Sequence, residues 1–329
     1  MSCPVFIVDA FTSRQFKGNQ AAVCLSTQDL TSEEYQSVAA EFNLSETAFP
    51  KPIKEGETFV NGNSFNLRWF TPTIEVPLCG HATLATAHVL FNELGNPNDS
   101  IDFHTKSGVL TVKKSANGIE MDFPAFDITS AHVKHFKDSN CGKFPMFDAP
   151  HYLIDLIRCV VPENIGIRSI TYAAVAKKLI VVIDEDTTKF ELLALSPDFV
   201  QMLTLHPEGN HVRGIIVTLA PKRPLQQGFV DDKEEPYDYV LRYFAPWVGI
   251  REDPATGSAQ CAAGPFWSKV LGKKELYVFQ CYPNRGAQFR VTVHDNSHTG
   301  RVSIVGSSVV VVKGEMKVRN DPTFYEPIP

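Results

Sequence analysis

Leu67-Arg68-Trp69-Phe70-Thr71-Pro72 returns at 241–246 as Leu241-Arg242-Tyr243-Phe244-Ala245-Pro246. Downstream of the first block stands Leu78-Cys79-Gly80-His81-Ala82-Thr83-Leu84-Ala85. Downstream of the second stands Asp253-Pro254-Ala255-Thr256-Gly257-Ser258-Ala259-Gln260-Cys261-Ala262, in the same order after a three-residue insertion. Each copy reads as a strand with alternating apolar residues, a Pro, a short loop, a Gly and an Ala-rich helix. A chain that contains its own near-copy is read as two homologous halves. The expected class is α+β with two pseudo-symmetric lobes, 1–130 and 131–329. The boundary falls in the polar stretch 127–150, which holds His132, Lys134, Asp138 and Gly142, and the final residues are free to pack back on the first lobe.

The flanking sequence agrees. Thr31-Ser32-Glu33-Glu34 is a capping box that opens a helix with Tyr35, Val38, Ala39 and Phe42 on one face. Strand-like runs recur at 5–8, 20–25, 109–113, 180–183, 215–219, 289–293 and 302–312, with turn signals at Asn117-Gly118 and Asp295-Asn296-Ser297. Strands dominate, with one substantial helix through the middle of each half. Leu84, Ala87, Phe91 and Leu94 give the first helix its spacing, and Gly95 its stop. In the second copy Gly264-Pro265 predicts a kink or an interruption after about two turns, because Pro removes a backbone donor and crowds the previous turn.

Composition narrows the function. The chain has 329 residues and a net charge of −6. It has no run dense in Lys and Arg, which argues against a nucleic-acid partner. No apolar run approaches the roughly 20 residues of a membrane span, and the N-terminus reads as a strand and not as a signal peptide. A cytoplasmic protein is expected. The seven Cys are scattered, without a CxxC pair; they read as reduced thiols, mostly small buried hydrophobes, with Cys79 set apart. His294 with His298, and His132 with His135, lack a third ligand nearby, so no metal is expected. Neither GxxxxGK[ST], GxGxxG nor GxSxG is present.

Two equivalent helix starts suggest a shared cleft between the lobes. Unpaired N–H groups and a partial positive charge suit such a start to a carboxylate or phosphate. Gly80 and Gly257 allow close approach of a ligand, or simply make tight strand-to-helix turns. His81 is either a polar cap or a donor whose pKa the helix start lowers. Ser258 takes the matching place in the second copy. Asp253-Pro254 reads either as an N-cap followed by Pro at the first helical position, or as an acid that faces the cleft and assists His81. Glu46, in Asn43-Leu44-Ser45-Glu46-Thr47-Ala48-Phe49, has apolar or small neighbours. It is either a buried carboxylate with a raised pKa or a surface acid on a strand edge.

Six segments together resemble the PhzF family of phenazine-biosynthesis proteins. They are Val8-Asp9-Ala10-Phe11 with Phe16-Lys17-Gly18-Asn19-Gln20-Ala21-Ala22-Val23, the Glu46 segment, Leu67–Pro72, Cys79–Thr83 and Asp253–Ala259. The resemblance covers nearly the whole chain. It implies the diaminopimelate-epimerase-like fold, in which each lobe is a curled, mixed, mostly antiparallel sheet around a central helix. It also implies a homodimer that needs no cofactor. Carried over, it makes Glu46 the acid/base that moves a proton between carbons of a cyclic dihydroxyanthranilate-type substrate, with His81 and Asp253 as further catalytic residues. Asn19, Gly80, Gly257 and Ser258 would bind that substrate. Related epimerases use two thiols; Cys79 stands at the first such place and Pro254 at the second, which disfavours two-thiol chemistry. Three readings follow: an isomerase acting through Glu46 on a small carboxylate, an amino-acid epimerase that uses Cys79, or a ligand-binding protein without turnover.

Overall fold

The structure, a computed structural model, describes residues 2–28, 30–133, 138–140, 142–294 and 300–317. Lys134, His135, Cys141, His298 and the turn at 295–297 lie outside them. The chain divides into two compact units. Unit 1 takes the residues up to Ala10, Gln20–Lys114 and the chain from Ser308 on. Unit 2 takes Phe11–Asn19 and Ser115–Ser307.

Unit 1 runs β1 (Ser2–Ala10), β2 (Asn19–Cys24), α1 (Ser32–Phe42), β3 (Glu46–Pro52), β4 (Ser64–Phe70), β5 (Glu75–Val76), α2 (Gly80–His88), β6 (Ser100–Thr105) and β7 (Gly108–Ser115). Thr31 caps α1 reciprocally with Glu34, as its capping box predicts. Helix α2 is apolar or small nearly all round and buried from His81 to Ala87, the pattern of a helix enclosed by its domain. It packs on β1 and β3. A π turn, Val89–Glu93, extends it to Gly95, which takes the left-handed φ of +67°.

Unit 2 runs β8 (Gly118–Pro124), β9 (Thr129–His132), β10 (Met146–Asp148), α3 (Leu153–Arg158), β11 (Ile167–Ala173), β12 (Lys178–Ile183), α4 (Lys189–Ala194), α5 (Phe199–Leu205), β13 (Gly214–Leu219), α6 (Pro224–Gln227), β14 (Tyr239–Ala245), β15 (Ile250–Glu252), α7 (Gly257–Leu271), β16 (Glu275–Gln280), β17 (Ala287–His294) and β18 (Arg301–Gly306). The run at 302–312 is two strands. After Ser307 the chain continues as β19 (Ser308–Lys317), which pairs antiparallel with β1 and packs on α2 in unit 1. Residues 115–130, read in sequence as the end of the first lobe, group with unit 2. The cause is the β8–β18 ladder, from Ile119↔Gly306 to Pro124↔Arg301, locked by the Arg301–Asp122 ion pair.

The duplication is visible strand by strand. In unit 1, β3 lies parallel to β2 and antiparallel to β4; β4 then pairs antiparallel with β5 and parallel with β6, and β6 forms a hairpin with β7. In unit 2, β12 to β17 repeat this order and these directions around α7. Each unit is thus a mixed, mostly antiparallel sheet around one central helix, the expected fold class. Helix α7 is not interrupted at Pro265: it runs 15 residues through it. The Cys261 carbonyl that Pro265 leaves without its helical donor accepts the N–H of Phe126 instead (2.9 Å). A Cβ at Gly264 would crowd Val291, so Gly there brings the helix close to β17.

Gly118, the first residue of β8, combines a φ of +133° with the Gly306 carbonyl where a Cβ would stand. Gly118→Ala is expected to cost about 2–3 kcal/mol through backbone strain and clash. Urea unfolding of the variant checks this, and an unchanged midpoint contradicts it.

Candidate active site

Helix α2 and strand β3 bring Glu46, Cys79 and His81 together inside unit 1. Glu46 is the first residue of β3, held in register by its pairing with Ala21 of β2. Cys79 is the N-cap of α2, with Gly80 and His81 in the first turn. All three side chains are buried, which removes the surface-acid alternative for Glu46. Glu46 Oε2 lies 2.9 Å from His81 Nε2 as an ion pair and accepts no aligned hydrogen bond. Ser45 Oγ is 3.2 Å from the same Nε2, and Cys79 Sγ is 3.4 Å from His81 Nδ1.

The electrostatics reverse both sequence expectations. Burial works to raise the Glu46 pKa, but the charge of His81 and the polar contacts of His81, Ser45 and Cys79 beside it bring it below the ordinary carboxylate value. Burial works to lower that of His81, yet Cys79 and Glu46 lift it well above the ordinary value. Cys79 is raised by burial and by the Glu46 charge, so it is a neutral thiol at pH 7. The resting pair is therefore carboxylate and imidazolium, with the thiol behind it. The candidate ligand atoms of the three lie within 4.8 Å of one another. However, His81 meets Glu46 with one nitrogen and Cys79 with the other. The geometry is a chain, an ion pair on one side of the ring and a thiol contact on the other, and not a set converging on one ion.

Stability should follow this pair. Glu46, depressed in the fold, stabilises above its unfolded value of 4.5, an effect lost as pH falls through its lower folded value. His81, raised in the fold, stabilises below 6.5, an effect lost as pH rises through its higher folded value. The unfolding free energy of wild type relative to His81→Gln should be greatest between these limits and narrow toward alkaline pH. A pH-independent difference in urea titrations would contradict the ion pair.

The remaining candidates gather in unit 2. Asp253 lies outside α7, whose N-cap is Thr256; the reading of Asp253-Pro254 as N-cap and first helical residue is corrected accordingly. Asn19 Nδ2 donates to Asp253 Oδ1 (2.8 Å) and Thr256 Oγ1 to Asp253 Oδ2 (2.6 Å). Gln280 Nε2 donates to the Asp253 carbonyl (2.6 Å), and Gln280 Oε1 accepts the Thr256 N–H (2.9 Å). Asp253 is thus oriented from three sides just ahead of Gly257 and Ser258. Ser258 is half-buried and Gly257 buried.

Both central helices begin at a Gly behind an extended N-cap residue, Cys79 or Thr256. Aligned on the helix starts, Thr256 stands in the second copy where Cys79 stands in the first. Neither its hydroxyl nor Pro254 supplies a second thiol, so two-thiol chemistry stays disfavoured. Aligning the copies on Gly80 and Gly257 finds Thr256 in sequence; nothing comparable points to Gln280. Of the remaining histidines, His294 pairs with Ser303 Oγ (2.8 Å) and His132 with Asp148 (3.2 Å).

Comparison with known proteins agrees with this architecture. The family model described as phenazine biosynthesis-like protein (PhzC-PhzF) matches residues 8–314. The chain is 38% identical over 317 residues to the mouse phenazine biosynthesis-like domain-containing protein 1, covering 96% of this chain and 99% of that one. It is 36% identical to a protein of Halalkalibacterium halodurans named an uncharacterized isomerase, covering 96% and 99%. A crystal structure of a PhzF-family phenazine biosynthesis protein from Enterococcus faecalis superposes with a TM-score of 0.75 at 31% identity, over 97% of this chain and 100% of that one. Matched over nearly its whole length in sequence and in fold, the chain belongs to the phenazine biosynthesis-like PhzC-PhzF family.

Proposed function

We propose that the protein is a cytoplasmic isomerase that moves a proton between carbons of a small, carboxylate-bearing, cyclic or unsaturated metabolite, with Glu46 as the acid/base. The similarity to relatives named isomerases supports the reaction class. The observation that carries the residue assignment is the buried Glu46–His81 pair, in which Oε2 is charged, beside an imidazolium and without an aligned donor.

In the proposed cycle Glu46 takes a proton from an activated C–H bond. The electron pair spreads into the adjacent unsaturated system, and the protonated Glu46 returns the proton at a second carbon. Nothing is oxidised or reduced. A carboxylate with a depressed pKa is a weak base, so the C–H bond must be allylic or lie next to a carbonyl. His81 keeps the carboxylate ionised before transfer and stabilises it after the proton is returned. Unit 2 by itself offers the Asn19–Asp253–Thr256 set and the start of α7 at Gly257 and Ser258, which suit polar and anionic groups. The alternative of Cys79 as a second base fares worse, because the site holds it as a thiol.

Incubating dihydroxyanthranilate-type and other cyclic unsaturated carboxylates in D2O should place deuterium at carbon, as read by NMR. If no member of such a panel exchanges while several bind, the protein is a ligand-binding member of the family and the isomerase reading falls.

A further inference from the structure

Ser45 and Glu46 are neighbours in sequence, and within a strand they would point to opposite faces. Here both reach the same nitrogen of His81, Ser45 Oγ at 3.2 Å and Glu46 Oε2 at 2.9 Å. The pleat does not separate them because Ser45 stands one residue ahead of β3, in the turn that the left-handed Asn43 opens at the end of α1.

Counting protons assigns these contacts. Ser45 has one hydroxyl proton, and it goes to the Gln20 carbonyl (2.9 Å). Toward His81 Nε2 the Ser45 oxygen therefore accepts. The imidazolium has two N–H groups whose directions the ring plane fixes. Nδ1–H faces Cys79 Sγ at 3.4 Å, and Nε2–H faces Ser45. With the ring anchored at both nitrogens, Nε2–H points past Glu46. The buried Oε2 lies 2.9 Å from that nitrogen, yet it is aligned with no donor.

The second copy offers a contrast. Phe70 pairs with Thr47, and its counterpart Phe244 pairs with Ile215. One residue earlier Gly214 corresponds to Glu46, and before that Arg213 to Ser45 and Lys177 to Gln20. There the Lys177 carbonyl accepts the backbone N–H of Arg213 (2.7 Å). The hydroxyl on this carbonyl belongs to the copy that carries the acid.

We propose that Ser45 is a positioning residue: by accepting the His81 Nε2–H it leaves the charge of His81 beside Glu46 while keeping that proton off Oε2, whose lone pair then faces a substrate C–H. The inference rests on the reading of the protein as an isomerase acting through Glu46. Ser45 takes no part in bond making. A carboxylate oxygen that accepts a charge-assisted hydrogen bond is a poorer base, because the bond is lost when the oxygen is protonated. In Ser45→Ala a small turn of the ring brings Nε2–H onto Oε2, and a bond to a charged acceptor is roughly twice as strong as one to a neutral acceptor. Ser45 is exposed, so water serves the Gln20 carbonyl in the variant and the fold is kept.

The test begins without ligand, by NMR on protein with isotope-labelled histidine, using His81→Gln to identify the His81 signals. In Ser45→Ala the Nε2–H resonance should move downfield, as a proton bonded to a carboxylate does, and in Ser45→Thr it should keep the wild-type position. Deuterium incorporation from D2O is then followed in a panel of cyclic unsaturated carboxylates, cyclohexadienecarboxylates among them. Ser45→Ala should lower kcat roughly threefold to tenfold with KM unchanged, since a loss of about one unit of basicity at Glu46 passes only partly into the rate. Ser45→Thr should restore kcat. An Nε2–H resonance that is the same in wild type and Ser45→Ala overturns the proposal. So does a loss of rate shared equally by Ser45→Ala and Ser45→Thr, or one confined to KM. A wild type that exchanges none of the panel, while Ser45→Ala shows the downfield shift, upholds the hydrogen-bond assignment and overturns the isomerase reading together with the catalytic consequence given to Ser45.

Discussion

Glu46→Gln should lower deuterium incorporation into substrate by roughly 10²–10⁴-fold while leaving the fold intact. Gln keeps the volume and the hydrogen-bonding capacity of the side chain but cannot take a proton from carbon. The variant should still fold, because the imidazole it leaves behind can relax. Without the Glu46 charge, burial dominates at His81, and the ring deprotonates instead of remaining an uncompensated cation. The same change should therefore shift the pH dependence of stability. The alkaline loss of stability assigned to His81 should disappear in Glu46→Gln, as read by urea unfolding across pH. Glu46→Asp, shorter by one methylene, retains the charge but retracts it, and should exchange more slowly than wild type and faster than Glu46→Gln. Equal deuterium incorporation by wild type and Glu46→Gln would remove Glu46 from the chemistry, and attention would then move to His81 and Cys79.

The duplicated fold was legible because its signal is local and occurs twice. A strand followed by Pro, a loop, Gly and an Ala-rich helix is written in neighbouring residues. So are the capping box at Thr31 and the turn at Asn117-Gly118. What sequence reading missed depends on long-range pairing. The grouping of 115–130 with unit 2 is set by β18, some 180 residues away, and the break at Ser307 follows from a change of partner that a continuous apolar run does not announce. The continuity of α7 through Pro265 needed a donor from Phe126, which lies far outside any helical window. At the site, the family resemblance, more than residue type or spacing, singled out Glu46, Cys79 and His81, and neither gave the signs of their pKa shifts. Those depend on a 2.9 Å contact between β3 and α2, and a one-residue change of register would turn Glu46 to the opposite face of the strand.

The arginines of the repeat give a stability prediction that separates equal sequence from unequal burial. Arg68 and Arg242 occupy the same place in the motif, and each grips a Glu on the short strand beside it with two hydrogen bonds. Arg68 holds Glu75 at 2.8 and 2.8 Å, and Arg242 holds Glu252 at 2.7 and 2.8 Å. Their side chains are 32% and 3% exposed. Arg242 also donates from Nη1 to the carbonyls of Leu192, Leu193 and Leu195, closing the end of α4. Arg242→Met removes the arginine donor from all three carbonyls, of which Leu192 keeps the Leu195 N–H (3.4 Å), and leaves Glu252 without its partner, which should cost about 3–5 kcal/mol. Arg68→Met leaves Glu75 its contact with Lys106 (2.5 Å), and Arg68 itself is already a third exposed, so it should cost about 0–1 kcal/mol. Guanidinium unfolding of the two variants side by side measures the difference. Pairing each with removal of its Glu tests the cause: Arg242→Met/Glu252→Gln should recover a substantial part of the loss, because an uncharged amide at 252 no longer needs the cation. Equal costs for the two arginines would mean that the Arg–Glu clasp alone carries the energy, and that burial and the capping of α4 add nothing to it.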